Sequence, residues 1–258
     1  MIALVIGIGL IIGALVGLLG GGGSILAVPA LVYLAGHDLQ EAVATSLLVV
    51  GITAVVAVVP RLRERQISWR IGLLFGLAGA ATAFAGAAVN RVLPEELTLA
   101  LFAMLMVAAG VRMLQDKPAT GTACVVEGDR VNWRRCLPRT LAGGLVVGFL
   151  TGLLGVGGGF LIIPVLVLAL GLPMPTAIGT SLVVVAINSA AGFAAHAGEA
   201  TLDVPVTLAF TGAAVVTALA AARLGARIDT DRLRRWFSYL VFVVAAGILV
   251  QLAAGLLG

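Results

Sequence analysis

Charge is scarce in this chain. Of its 258 residues only 11% are Asp, Glu, Lys or Arg, against about a quarter in a soluble domain. A globular protein so poor in charge could not cover its surface with polar groups, which excludes a water-soluble fold and points to lipid as the solvent for most of the chain. Aromatic residues make up 5%, cysteines number 2, and lysine occurs only at Lys117. Cys124 and Cys136 match no metal-site spacing and require no disulfide; they read as two free thiols in a polar loop. There is no His-Glu zinc motif, and no Ser/His/Asp set lies within an apolar stretch. The apolar interiors also lack Asp, Glu, Lys and Arg, the residues that mark proton relays and ion sites in membranes. These absences argue against a cation pump with carboxylate ligands and against a membrane-embedded enzyme. They imply no metal and no cofactor. The chain opens apolar at Ile2 with no basic n-region, which argues against a cleaved signal peptide.

What is abundant is hydrophobic: 61% of the residues, with 34 glycines among the rest. Apolar runs near membrane length recur from end to end, as in a multi-span protein. In the first half they cover roughly 2–19, 23–35, 41–60, 70–90 and 97–114. In the second they cover roughly 139–155, 159–171, 175–194, 205–224 and 236–254, and 115–138 is a polar linker between the halves. The expected fold is all-α: one polytopic membrane domain with repeat 1 at 1–114 and repeat 2 at 139–258. The second run of each half holds about 13 residues, or about 20 Å of helix, short of a hydrocarbon core of about 30 Å. Pro29 and Pro164 lie inside these runs and glycines precede them, so both are expected to be broken or half-spanning helices.

The halves are copies. Residues 17–36 read GLLGGGGSILAVPALVYLAG and residues 152–171 read GLLGVGGGFLIIPVLVLALG, an ungapped offset of 135. AVATSLLVVGI at 42–52 meets AIGTSLVVVAI at 177–187 at the same offset. Across 17–52 against 152–187, 18 of 36 positions are identical. Matched Leu and Val carry little weight in this composition. The matches Gly22/Gly157, Gly23/Gly158, Pro29/Pro164, Thr45/Thr180 and Ser46/Ser181 carry more.

A pI near 9.8 raises nucleic acid as a partner, but the distribution of basic residues rejects it. Fifteen of the sixteen fall in 61–70, 112–139 and 223–235, short loops that the positive-inside bias assigns to the cytoplasm. The remaining loops hold only Arg91 together with Asp38, Glu41, Glu95, Glu96, Glu199 and Asp203. Loop 61–70 is basic while its repeat partner 195–204 is not, and the reverse holds for 90–97 and 225–235. The bias changes sides between repeats, as it does when two halves are inserted with opposite topology.

Four consecutive glycines cost roughly 1 kcal/mol each relative to Ala inside a helix. The runs at Gly22, Gly23 and Ser24 and at Gly157, Gly158 and Gly159 therefore read as helix breaks. Unwound backbone at membrane depth exposes N–H groups able to cradle an anion, aided by the positive end of the next helix. Close helix packing through small residues is the competing explanation. Thr45, Ser46, Thr180 and Ser181 offer hydroxyl donors to substrate oxygens, or alternatively back-bonds to helix carbonyls. Asn188, whose first-half partner is Thr53, either faces the pathway or ties helices together. His196 reads first as a solvated loop histidine, with proton coupling as its other role.

The paired motifs, GLLGGGGSILAVPAL with AVATSL and GLLGVGGGFLIIPVL with AIGTSL, resemble the TauE/SafE family of probable sulfite exporters, in the toluene-sulfonate uptake permease superfamily. The resemblance spans essentially the whole chain. It implies a multi-pass plasma-membrane transporter that moves sulfite, sulfoacetate or a related organosulfur anion, usually outward. An anion channel and an importer of another small anion are the alternatives.

Overall fold

The computed structural model describes residues 2–23, 27, 31, 39–90, 92, 95–115, 124, 133–154, 159–196, 203–225 and 229–257. Among them the ordered elements are all helical: α1 (Ile2–Leu19), a 3₁₀ turn (Gly20–Gly23), α2 (Leu39–Arg63), α3 (Trp69–Asn90), α4 (Glu95–Gln115), α5 (Trp133–Leu154), α6 (Gly159–Pro164), a π turn (Val165–Ala169), α7 (Met174–His196), α8 (Val204–Gly225) and α9 (Thr230–Leu257). A helix satisfies its own backbone, which lipid cannot do. By length and composition α2, α3, α5, α7 and α8 each hold an apolar stretch able to cross a bilayer, and α1, α4 and α9 hold shorter ones. The outer faces agree: Leu77, Phe84, Val216 and Val243 are each more than 60% exposed.

Helix limits have local causes. Gly20 adopts φ +66° and stops α1, because side chains other than hydrogen disfavour that left-handed conformation. Ser68 and Asp203 start α3 and α8: the Gly72 N–H donates to the Ser68 carbonyl at 2.9 Å, and the Thr207 N–H to the Asp203 carbonyl at 2.9 Å. The two starting residues stand one repeat offset apart. Pro164 ends α6 and the chain continues as a π turn, with the Leu170 N–H donating to the Val165 carbonyl at 3.2 Å. Gly171, at φ +74°, then closes the segment. From Gly159 to Ala169 it spans about 16 Å, too short to cross.

The halves interlock. α1 runs alongside α8 in the same direction, with Gly9 against Phe210, Gly13 against Ala214 and Gly17 against Ala218. α3 runs alongside α5 in the same way, with Phe75 against Gly144, Gly79 against Gly148 and Ala83 against Gly152. Every contact of one set becomes a contact of the other on shifting each residue by 135. The duplication thus reaches well beyond the 36 aligned positions, and the first helix of each half packs on the third long helix of the other. The repeat partners α2 and α7 run antiparallel, with Gly51 beside Ser189 and Gly192 beside Leu47. Arg70 stacks over the Trp133 ring at 5.7 Å where α3 and α5 begin.

Two expectations are corrected. Cys124 and Cys136 are not free thiols: they form a disulfide with Cα atoms 4.7 Å apart, and both side chains are buried. Their spacing along the chain said nothing about whether the linker returns to the start of α5, and here it does. Maleimide is expected to label neither cysteine in the native protein and both after reduction and denaturation. Labelling without reductant counts against the bond. The second correction concerns charge: Arg61, assigned above to a basic loop, lies in α2 and is fully buried.

Candidate functional site

The site is built around the end of α1. Beyond Leu19 the helix gives way to the turn Gly20–Gly23, which holds the candidates Gly22 and Gly23. A Cβ on Gly20 would abut the Ser181 hydroxyl and stand 3.2 Å from the Ile178 carbonyl oxygen, both on α7. A Cβ on Gly21 would stand 2.5 Å from the Gly159 Cα, 2.7 Å from the Gly159 oxygen and 2.7 Å from a Val185 methyl. Backbone from the glycine run of each half therefore meets inside the bundle, at a separation that excludes any side chain. Ser24, Pro29, Gly157 and Gly158 lie outside the described residues. Pro164 ends α6 as described above.

The hydroxyls divide by use. Ser46 donates to the Val43 carbonyl at 2.9 Å and Ser181 to the Ile178 carbonyl at 2.8 Å. These two back-bonds are repeat equivalents, and both serine protons are committed to their own helix. Thr180 Oγ1 accepts the Ser68 backbone N–H at 3.0 Å, and the Gln66 carbonyl packs against Gly179. The loop between α2 and α3 thus lies over the second turn of α7. Thr45 is buried in α2.

A second equivalent pair lies deeper. Thr53 is fully buried, and its Oγ1 has no hydrogen-bond partner; the Oδ1 of half-buried Asn188 has none either. Asn188 Nδ2 lies 3.9 Å from a Cβ placed on Gly79, at the crossing of α3 and α5. An unsatisfied buried polar atom costs about 1–3 kcal/mol, and here one recurs at the same place in both halves. The structure brings Gly20, Gly21, Gly159 and Ser181 together. Asn188 stands apart from them at the helix crossing.

Arg61 is the residue that sequence reasoning missed. Among the described residues it is the one charged side chain in the buried core. Its Nη1 donates to Gln66 Oε1 at 3.0 Å, and Nη2 reaches the Gly17 and Leu18 carbonyls at 3.4 Å each. A Cβ on Gly225, the last residue of α8, would stand 2.9 Å from Nη2. The guanidinium therefore sits among the C-terminal ends of α1, α8 and its own α2, where helix dipoles favour a cation. The apolar run had ended at Val59 and Pro60, so residue 61 counted as loop. A usable signal was the offset of 135, which pairs Arg61 with His196 at the end of α7. No group of three or more His, Cys, Asp or Glu able to hold a metal occurs among the described residues.

Comparison with known proteins extends this picture. Residues 5–248 match the family described as Sulfite exporter TauE/SafE. A probable membrane transporter protein of Xylella fastidiosa strain 9a5c is 32% identical over 243 residues, covering 93% of this chain and 92% of that protein. One from Methanocaldococcus jannaschii is 24% identical over 260 residues, covering 95% and 94%. One from Bacillus subtilis strain 168 is 27% identical over 206 residues, covering 73% and 76%. No solved structure matches. A family match over nearly the whole chain, a long relative above 30% identity and a multi-pass helical bundle agree: the protein belongs to the sulfite exporter TauE/SafE family of membrane transporters.

Proposed function

We propose that this protein is a secondary transporter that moves a small sulfur-containing anion, sulfite or an organosulfonate, outward across the plasma membrane by alternating access. The observation that carries the reading is the contact of Gly21 with Gly159. Glycine runs from both halves meet within the bundle, and non-helical backbone persists at membrane depth only where protein or a water-filled cavity surrounds it. A sulfite or sulfonate group is compact and rich in oxygen, so backbone N–H groups and the threonine hydroxyls, rather than the back-bonded serines, suit it. Gly22, Gly23, Ser24, Gly157, Gly158 and Gly159, with the Thr45/Ser46 and Thr180/Ser181 turns, form the substrate region in this reading.

The halves are inverted across the bilayer. The antiparallel run of the repeat partners α2 and α7 supports this, as does the exchange of basic loops between repeats. Loops 61–70, 112–139 and 223–235 face the cytoplasm, with 115–138 joining the two moving halves. Cytosolic reductants work against a disulfide on that side, and burial of both sulfurs of Cys124–Cys136 is what shields this one. A negative interior drives an anion outward by about 2.3 kcal/mol per charge per 100 mV, so export can run on voltage alone.

Proteoliposomes loaded with radiolabelled sulfite test the proposal. Saturable efflux that rises with inside-negative potential and is competed by thiosulfate or sulfoacetate is expected. An imposed proton gradient tests His196 coupling in the same assay. Failure to move any of these anions, or non-saturating flux at channel rates, would sink the proposal.

A further inference from the structure

We infer that Arg61 selects for negative charge in this carrier, by receiving an oxygen of the transported anion beside the first glycine break; the inference rests on the transport reading above. Four observations converge. The side chain is fully buried. Its Nε–H has no hydrogen-bond partner. No carboxylate among the described residues pairs with it. Its Nη2 rests on the carbonyls of Gly17 and Leu18, in the turn that runs directly into Gly20–Gly23.

A buried cation without a counter-charge is costly unless its hydrogen bonds are made well. Here they are made in part. The bond to Gln66 is good at 3.0 Å. The two carbonyl contacts at 3.4 Å lie beyond the usual 2.7–3.2 Å range of N–H···O bonds. Three helix C-termini supply partial negative charge and make the guanidinium tolerable in an empty carrier, but they leave the Nε–H unused. What the Nε–H lacks is an acceptor, preferably charged. A compact oxyanion at the break supplies one, and charge-assisted bonds to guanidinium are roughly twice as strong as neutral ones. Because the helix carbonyls hold Arg61 when no anion is bound, the carrier can return empty without stranding the charge.

A plain structural clamp on the ends of α1 and α8 is the competing account, and the two separate by experiment. Wild type, R61K, R61Q and G225A are purified and titrated with sulfite, thiosulfate, sulfoacetate and sulfate, with uncharged dimethyl sulfone as control. Ligand-induced thermal stabilisation and proteoliposome flux are both read. Loss of a charged hydrogen bond corresponds to roughly 10-fold or more in affinity. R61Q is therefore expected to need at least about 10-fold more anion for half-saturation, with R61K recovering part of the loss. G225A keeps the charge but places a methyl 2.9 Å from Nη2, too close for the guanidinium to stay where it is. The flexible end of the arginine can yield, so this variant is expected to fold and to weaken anion response, and it decides the matter where R61Q does not fold. If wild type binds an anion and these variants bind it equally well, with only the ligand-free melting temperature lowered, Arg61 is a clamp and the inference falls alone. If wild type responds to the neutral sulfone rather than to any anion, the transport reading falls with it.

Discussion

Alanine at position 159 is expected to cut anion flux by about 100-fold while the protein still inserts and folds. The new Cβ would press on the Gly21 carbonyl oxygen and stand 2.6 Å from the Gly21 Cα. Both are backbone atoms, so no side chain can rotate away, and the two glycine runs must separate by about 1 Å. Displacements of that size at a reacting or binding centre can cost about 100-fold. Gly21→Ala makes the same clash from the other side, at 2.5 Å from the Gly159 Cα, and is expected to behave alike. The controls are Gly7, Gly212 and Gly247, where a Cβ meets nothing within 4 Å. Alanine there is expected to leave flux unchanged and to favour the helix by up to about 1 kcal/mol. Flux per inserted molecule, alongside a monodisperse elution profile, is the measurement. Normal flux in G159A would remove the glycine contact from the transport pathway.

The second large effect concerns the fold. Gly148→Ala places a Cβ 2.5 Å from the Gly79 carbonyl carbon, with the Gly79 Cα and oxygen closer still. Gly13→Ala meets the backbone of Ala214, with its carbonyl carbon at 2.7 Å. The two sites are repeat equivalents at the crossings of α3 with α5 and of α1 with α8. Overpacking a tight contact typically costs about 1–3 kcal/mol, and rigid backbone on both sides puts these variants near the upper figure. Each is expected to lower thermal stability by a similar amount. The double variant is expected to lose roughly the sum, since the sites share no partners. A large drop for one and none for the other would mean that the interlocking of the halves is not repeated. Thermal unfolding in detergent, monitored by loss of the monodisperse species, reads the effect.

Much of this was legible in the residues. The scarcity of charge named the solvent, and the apolar runs located the helices. They ended early where helices carry polar ends: α5 begins at Trp133 and α9 at Thr230, each about six residues ahead of its apolar run, because hydropathy does not register a charged first turn. The glycine runs marked the break that Gly20 makes at φ +66°. The duplication was visible at the motifs, but its extension to Gly9/Gly144 and Gly13/Gly148 gained meaning only when those glycines were found beneath equivalent partners. Ser46 and Ser181 could not be assigned from sequence, since a hydroxyl facing substrate and one bonded to its own helix look identical there. The disulfide and the burial of Arg61 were read the wrong way, one from spacing and the other from its place at the end of an apolar run.

The sequence by itself determined that the chain lives in lipid, that it is built twice, and that each half carries a short segment flanked by glycine. These follow from composition and periodicity, which are local properties of a chain and its solvent. Only the tertiary structure decided which backbone meets which, that α1 leans on α8 rather than on its own half, and that three helix ends gather around Arg61. Close packing and buried charge depend on distances between residues far apart in the chain, and a helix that satisfies its own backbone gives no local sign of the neighbour it will touch.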